Sequence, residues 1–335
     1  MKVVVLTTSY PRDPSDSAGR FVADAVRAVE RKGVDVRVVS PATFAHFGIA
    51  YGGGIVQNLR RQPWRLLFVP AFMAAYARAA RRAAASADVV HAHWLPSAVA
   101  ARATGKPYVL QLWGTDVELA RRLPWVVRPL LRGAAAVVAA SHALAEAGTA
   151  LGARTVEVIP SGVELPDGVG EPASPPHVLF VGRLSEEKGI LEFLEATEGL
   201  PRVIVGDGPL RAQVPEAVGF VPPAELGAWY ARASVVCVPS RREGYGMTAR
   251  EAMAYGRAVV ASDTGGLPDA IRTEETGLLV PPRDPQALRA ALLRLLSDDE
   301  LRARLGAAAR AAATEQFSQE AEATALVALW ERVAG

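Results

Sequence analysis

The chain has 335 residues, which at roughly 150 residues per domain suggests two domains, each long enough to bury its own core. Half the residues are hydrophobic and 21% are charged, which excludes a disordered chain, and the single Cys237 excludes a disulfide scaffold or a cysteine-rich zinc site. The net charge of +2 divides unevenly, with 20 Lys and Arg against 10 Asp and Glu over residues 1–160, and 17 against 25 over residues 161–335. A basic half followed by an acidic half points the first toward anionic matter. Cys237 sits in the apolar run Val235 to Val238 and is expected to be a core thiol. No apolar run approaches the roughly 20 residues of a bilayer span. The opening MKVVVLTTSYP has only four consecutive apolar residues, so no secretory leader is expected and the expected compartment is the cytoplasm.

Strand and helix patterns alternate along the chain. Lys2–Thr8 reads as an apolar strand, and Gly19–Arg31 carries a helical stripe of Phe21, Val22, Ala25, Val26 and Val29. Val34–Val39 is a second strand, followed by an irregular stretch through Gly52, Gly53 and Gly54. Helix is expected over most of Trp64–Ala84, with a break at Pro70. Asp88–His91 and Pro107–Leu112 read as short buried strands with a helix between them, and Ala134–Ala140 and Thr155–Ile159 complete a first sheet. Continuous apolar strands separated by helices imply a parallel sheet covered on both faces. Pro166–Pro176, with its Asp-Gly and Pro-Pro pairs, reads as a linker and hinge. A second series follows at His177–Val181, Arg202–Val205, Val218–Val221, Ser234–Val238, Ala258–Ala261 and Leu278–Val280, and Pro285 to Ala334 reads as helix. The expected class is α/β, two doubly wound Rossmann-like domains spanning 1–165 and 166–318. Ligands in such sheets lie beyond the strands' carboxyl ends, so two such domains are expected to hold the site between them.

The segment PSRREGYGMTAREAMAYG over Pro239–Gly256 is the most specific. Gly244 and Gly246 allow close backbone approach. A helix expected from about Met247 offers the amides of Tyr245 to Thr248 at its positive end. Glu251 lies eight residues after Glu243. Two carboxylates around an amide-rich helix start suit a polyhydroxylated ligand bearing phosphate: amides take anionic oxygens and carboxylates accept from hydroxyls. The bland alternative is that Glu251 is a solvated helix residue. In Val181–Gly189, VGRLSEEKG, Arg183 and Lys188 can aim two cations at one diphosphate, or can be two surface cations of a turn. The segment VGDGPLR after the next strand carries Arg211 where a dinucleotide fingerprint has its third glycine, which disfavours a nicotinamide cofactor. GGLPD at Gly265–Asp269 is a glycine turn before a helix start. In the first half, His93 and Trp94 close VVHAHW, Trp113–Asp116 closes the following strand, and Ser17–Arg20 brings Gly19 to a helix start. There is no Asp-x-Asp pair, so a metal-chelated diphosphate has no candidate ligands.

These motifs resemble the family-4 retaining glycosyltransferases of the GT-B fold. The resemblance runs along nearly the whole chain and is strongest from Val178 to Val280, in GRLSEEKG, VGDGPLR, REGYGMTAREAMAYGRAVVAS and GGLPD. The first half matches more loosely, through GRF, DVVHAHW and WGTD, and the family's usual double glycine in the first loop is here Ala18-Gly19. The resemblance implies that Arg183 and Lys188 neutralise the leaving diphosphate, with Gly19 approaching the phosphate. It implies that Glu251 holds the ribose, that Glu243 holds a sugar hydroxyl, and that the amides of Gly244, Tyr245, Gly246 and Met247, with Thr248 nearby, line the donor. His93 would touch the sugar near its 6-hydroxyl, and Trp94, Trp113 and Asp116 are acceptor-side candidates. The last helix, about 319–335, would pack back on the first domain. The base would lie against Gly219–Pro223, near Val221. That segment has no carboxylate for the extra donors of guanine, which favours UDP-glucose over GDP-mannose, with UDP-GlcNAc a further possibility.

The implied reaction is metal-independent transfer of a hexosyl group from a nucleotide sugar to a carbohydrate or lipid-linked acceptor. No metal, nicotinamide or nucleic acid partner is expected. Two alternatives remain: a GT-B nucleotide-sugar epimerase or phosphorylase, and a catalytically silent subunit that binds sugar or membrane. From Leu59 to Arg82, six arginines (Arg60, Arg61, Arg65, Arg78, Arg81, Arg82) and no acid are interleaved with Trp64, Leu66, Leu67, Phe68, Phe72, Met73 and Tyr76. Arg121–Arg132 repeats the pattern around Trp125. This is either a core-packing stripe with a solvated cationic face or a surface for an anionic membrane, which would place the protein peripherally at the inner leaflet.

Overall fold

The computed structural model describes residues 1–13, 16, 18–51, 54–114, 116–117 and 123–335. Ser17, Gly52, Gly53, Thr115, Arg121 and Arg122, named above, lie outside the described residues. The chain divides into one unit of Met1–Ser161 with Glu322–Gly335 and a second of Gly162–Ala321.

In the first unit, β1 (Lys2–Leu6), β2 (Asp35–Val39), β3 (Val89–His93), β4 (Tyr108–Leu112), β5 (Ala136–Ala139) and β6 (Val156–Val158) form one parallel sheet in the order β2-β1-β3-β4-β5-β6. Its helices are α1 (Arg20–Arg31), α2 (Ile55–Arg61), α3 (Val69–Ala84), α4 (Leu95–Arg102), α5 (Pro124–Gly133) and α6 (His142–Ala150). Phe72 and Tyr76 of α3, Leu95 and Ala98 of α4 and Leu131 of α5 pack with Val4, Leu6 and Leu110 on one face of the sheet. Val22, Val26 and Val29 of α1 cover the other face. β3 and β4 are buried along their whole length, their polar His91, His93 and Gln111 included.

The second unit repeats the plan with β7 (Val178–Val181), β8 (Arg202–Val205), β9 (Val235–Val238), β10 (Ala258–Ser262) and β11 (Leu278–Val280), ordered β11-β10-β9-β7-β8 and parallel throughout. Helices α7 (Ile190–Ala196) and α10 (Pro285–Ser297) cover one face, while α8 (Leu226–Arg232), α9 (Met247–Ala254) and α11 (Asp299–Gln316) cover the other. The final helix α12 (Gln319–Ala334) buries Ala323, Leu326, Leu329 and Trp330 in the core of the first unit, beside α1. Cys237 is a buried free thiol in β9, and burial pushes its pKa up.

Three expectations need correction. Val218–Val221 forms no strand: Val218 N–H bonds the Ile204 carbonyl and Gly206 pairs with Gly219, after which Gly219 turns left-handed (φ 95°). Pro222 and Pro223, which lack the N–H a strand would need, then lead into a short 3₁₀ turn. The break in Trp64–Ala84 falls earlier than Pro70, because Pro63–Phe68 is a 3₁₀ turn and Pro70 occupies the first turn of α3, where its missing N–H costs nothing. The stretch Pro166–Pro176 is no free linker. Arg310 donates to the Pro166 carbonyl (2.8 Å), Arg257 to those of Val169 and Gly170, and Ala173 N–H bonds the Arg232 carbonyl (2.9 Å), all within the second unit. The chain enters that unit at Gly162, where Val163 bonds Phe317 and Gln319 through the backbone.

Candidate functional site

Each sheet reverses its strand order at one point, between β1 and β3 in the first unit and between β7 and β9 in the second. The loops beyond the carboxyl ends at such reversals are where open α/β sheets take ligands.

In the second unit, the loops after β7, β9 and β10 meet through backbone. A Cβ on Gly189 would overlap the Pro239 carbonyl, and one on Gly265 would overlap the Glu243 carbonyl; both glycines have φ in the left-handed region, 70° and 57°. This contact brings Lys188 and Glu243, 55 residues apart in sequence, into an ion pair of 2.7 Å. Ser240 Oγ donates to the same carboxylate oxygen at 3.0 Å. Arg241 pins the loop from below: its guanidinium bonds Glu192 at 2.6 Å and Glu186 at 3.0 Å, and its N–H bonds the Glu187 carbonyl. Arg183 is exposed at the same strand end and makes no hydrogen bond or ion pair with a described residue.

Helix α9 starts beside this pair. Gly246 is its N-cap, with no side-chain cap, so the helix start presents backbone N–H groups and the positive end of its dipole. Met247 and Thr248 open the helix, and Thr248 Oγ1 donates to the Val181 carbonyl at 3.3 Å, tying α9 to the end of β7. One turn further, Glu251 accepts a 2.6 Å hydrogen bond from the hydroxyl of Tyr230 on α8. Burial first, and the Glu251 charge second, push the Tyr230 pKa well up, so this phenol keeps its proton and donates it to Glu251.

Arg250 was not foreseen in any role. It is fully buried, bonds the carbonyls of Tyr245 and Gly266, and lies 3.8 Å from the Tyr245 ring centre and 4.7 Å from that of Phe317. It therefore bolts the Gly244–Gly246 turn to the Gly265–Gly266 turn, and burial lowers its pKa. Tyr245 is accordingly buried, its ring under the Arg250 guanidinium and its carbonyl accepting from it. Val221 is half-buried beside Phe220, which is 64% exposed.

The first unit gathers aromatic rings at its own strand ends. His93 ends β3, and its ring lies 6.0 Å from that of Trp113, at 17°. Trp94 and Phe21 complete the cluster, with Phe21 4.4 Å from Trp113 and 5.8 Å from Trp94. Trp94 has φ 65°, a strained value for a bulky residue. His93 stacks on His91 at 4.7 Å and 4°, and burial holds its pKa well down, so the ring is neutral. His91 is fixed between Gln111 (3.1 Å) and the indole N–H of Trp330 (3.1 Å), a brace reaching in from α12. His93 Nδ1 and Trp113 Nε1 are both buried without a partner among the described residues.

Asp116, an acceptor-side candidate, is buried at the same strand ends. Its two oxygens accept from the N–H groups of Leu95 (3.0 Å) and Trp113 (2.9 Å), bracing the ends of β3 and β4, and burial raises its pKa to about 6. Gly19 is the N-cap of α1, packed so closely on the Ser9 carbonyl that a Cβ would overlap it. Among the described residues, no three His, Cys, Asp or Glu side chains come together as a metal set.

Residues 18–166 match the family described as Glycosyltransferase Family 4, and residues 164–312 match Glycosyl transferases group 1. A D-inositol 3-phosphate glycosyltransferase of Xylanimonas cellulosilytica is 31% identical over 92% of this chain and 89% of its own length. The chain belongs to the family-4 glycosyltransferases. The fold of this glycosyltransferase is GT-B, two parallel-sheet Rossmann-like domains. It resembles sucrose-phosphate synthase of Thermosynechococcus elongatus with a TM-score of 0.83 at 22% identity, over 99% of this chain and 98% of that one. Anabaena Alr3699/HepE, solved in complex with UDP-glucose, resembles the glycosyltransferase with a TM-score of 0.75 at 20% identity, over 99% of this chain and all of its own.

Proposed function

We propose that this glycosyltransferase moves a glucosyl group from UDP-glucose, with retention of configuration and without a metal ion, to a carbohydrate or lipid-linked hydroxyl at an anionic membrane surface. The observation that carries the reading is the Lys188–Glu243–Ser240 cluster beside the uncapped start of α9, with the Tyr230–Glu251 pair one turn away. In this reading Lys188 and Arg183 face the leaving diphosphate, Glu251 takes the ribose hydroxyls, Glu243 a sugar hydroxyl, and the amides around Gly246 the remaining oxygens. His93 offers a neutral imidazole to the 6-hydroxyl. The uridine preference is supported by Gly219–Pro223, which bears no carboxylate, and by the UDP-glucose complex of the similar Anabaena protein.

As the anomeric carbon–phosphate oxygen bond breaks, negative charge grows on the diphosphate and positive charge on the sugar ring. Two cations, Lys188 and Arg183, and a helix start stabilise that anion, an effect worth several kcal/mol where water is excluded. The acceptor oxygen forms its bond on the face the phosphate leaves, and its proton passes to the departing phosphate oxygen. In this reading Glu243 and Glu251 are both engaged with donor hydroxyls, so neither is assigned to a covalent glycosyl intermediate.

Slow hydrolysis of UDP-glucose without acceptor provides the test. Proton NMR should detect α-glucose first, before mutarotation, and the rate should survive EDTA. Release of β-glucose first would overturn retention. Loss of activity in EDTA, restored by Mg²⁺ or Mn²⁺, would overturn the metal-free step.

A further inference from the structure

The basic, aromatic stretch of the first unit separates into two parts. Phe72 and Tyr76 of α3 are buried in the core, whereas the 3₁₀ turn Pro63–Phe68 before it buries none of its residues. Leu67 is 83% exposed, Trp64 58% and Leu66 56%. Phe68 stacks on Phe47 at 5.9 Å, and Trp64 meets Phe68 edge-on at 5.9 Å, so these three exposed rings form one apolar ridge, with Leu66 and Leu67 exposed on the same turn. An apolar ridge this exposed marks a docking surface.

Charge indicates the occupant. No Asp or Glu occurs between Asp35 and Asp88, while Arg60 and Arg61 stand exposed just before the turn and Arg78, Arg81 and Arg82 stand exposed further along α3. Arg65 bonds the Gly48 carbonyl and holds its guanidinium 5.6 Å over the Trp64 ring. In the same helix layer, α5 presents Trp125, 73% exposed, with Arg128 and Arg132 exposed along it. Apolar tips within a field of arginines match a bilayer boundary, where tips enter the acyl region and guanidinium groups meet anionic headgroups.

We propose that the turn Pro63–Phe68 is the element that inserts into an anionic leaflet, with Trp64, Leu66, Leu67 and Phe68 below the headgroups and the flanking Arg60, Arg61 and Arg65 at their level. This rests on the membrane contact proposed above and specifies the residues that make it.

The test uses the full chain with vesicles of phosphatidylcholine alone or mixed with phosphatidylglycerol, the acyl chains brominated to quench tryptophan on contact. The wild type should co-sediment with the mixed vesicles at low salt, release as salt rises, and show quenching that falls sharply in Trp64→Phe. Leu67→Ser should weaken vesicle binding about tenfold while UDP-glucose hydrolysis stays unchanged, since a buried leucine contributes that much or more. Wild-type-like binding by Leu67→Ser, with quenching intact in Trp64→Phe, would overturn the insertion element and leave the membrane contact standing. No binding of the wild type to either vesicle at low salt would remove the contact itself. Dimerisation without lipid, abolished by Leu67→Ser, would reassign the ridge to a second copy of the chain.

Discussion

Replacing Lys188 or Arg183 by alanine is expected to lower kcat about 100-fold or more, the usual loss when one preorganised electrostatic stabiliser of a transition state is removed. In the proposed reading both cations act on charge that develops as the sugar–phosphate bond breaks, so kcat should fall more than KM rises. The two variants should differ in side effects. Arg183 is exposed and has no partner among the described residues, so its loss leaves the ground state intact. Lys188 is paired with Glu243 at 2.7 Å, and its loss leaves that carboxylate held by Ser240 alone. Initial rates of UDP release from UDP-glucose measure both effects. Near-normal turnover in both variants would remove the diphosphate assignment.

The second large effect is expected from Gly265→Ala. The methyl would overlap the Glu243 carbonyl oxygen, and the backbone would have to hold a non-glycine residue at φ 57°. Neither backbone can yield freely, because Arg250 clamps both turns from inside and Gly266 N–H bonds the same Glu243 carbonyl. A cost on the order of 3 kcal/mol is expected, in the range of strained and overpacked sites. Chemical denaturation should register this loss, and transfer should fall with it as Glu243 is displaced. A variant with wild-type stability and activity would show that the two loops are not in register as described.

Much of the fold was legible because buried parallel strands write themselves as unbroken apolar runs, as Val235–Val238 and Ala258–Ala261 do. The glycine-rich loop before α9 was legible for a different reason: close backbone approach leaves few residue choices, so Gly244 and Gly246 stand out beside Glu243. The partners of the site residues were not legible. Tyr230 meets Glu251, and Trp330 reaches His91 across 239 residues, only because particular strands and helices lie side by side. No local period encodes that adjacency. The same limit hid the partners of Asp116, whose oxygens brace two backbone N–H groups. It also explains Val218–Val221, whose composition fits a strand but whose backbone is turned by Gly219 and the two prolines. From Leu59 to Arg82, helical spacing could not separate buried Phe72 and Tyr76 from exposed Trp64 and Leu67, because the 3₁₀ turn resets the phase between them.

The most direct measurement of the donor site is thermal unfolding of the wild type and Glu251→Ala with UDP, UDP-glucose, GDP and GDP-mannose. Ligands that bind the folded state raise the apparent Tm by mass action. UDP and UDP-glucose should raise the Tm of the wild type, the guanine nucleotides should do so far less, and Glu251→Ala should lose the UDP shift. A Tm raised by GDP and unmoved by UDP, or a full UDP shift in Glu251→Ala, would contradict the UDP-glucose assignment and the ribose role of Glu251.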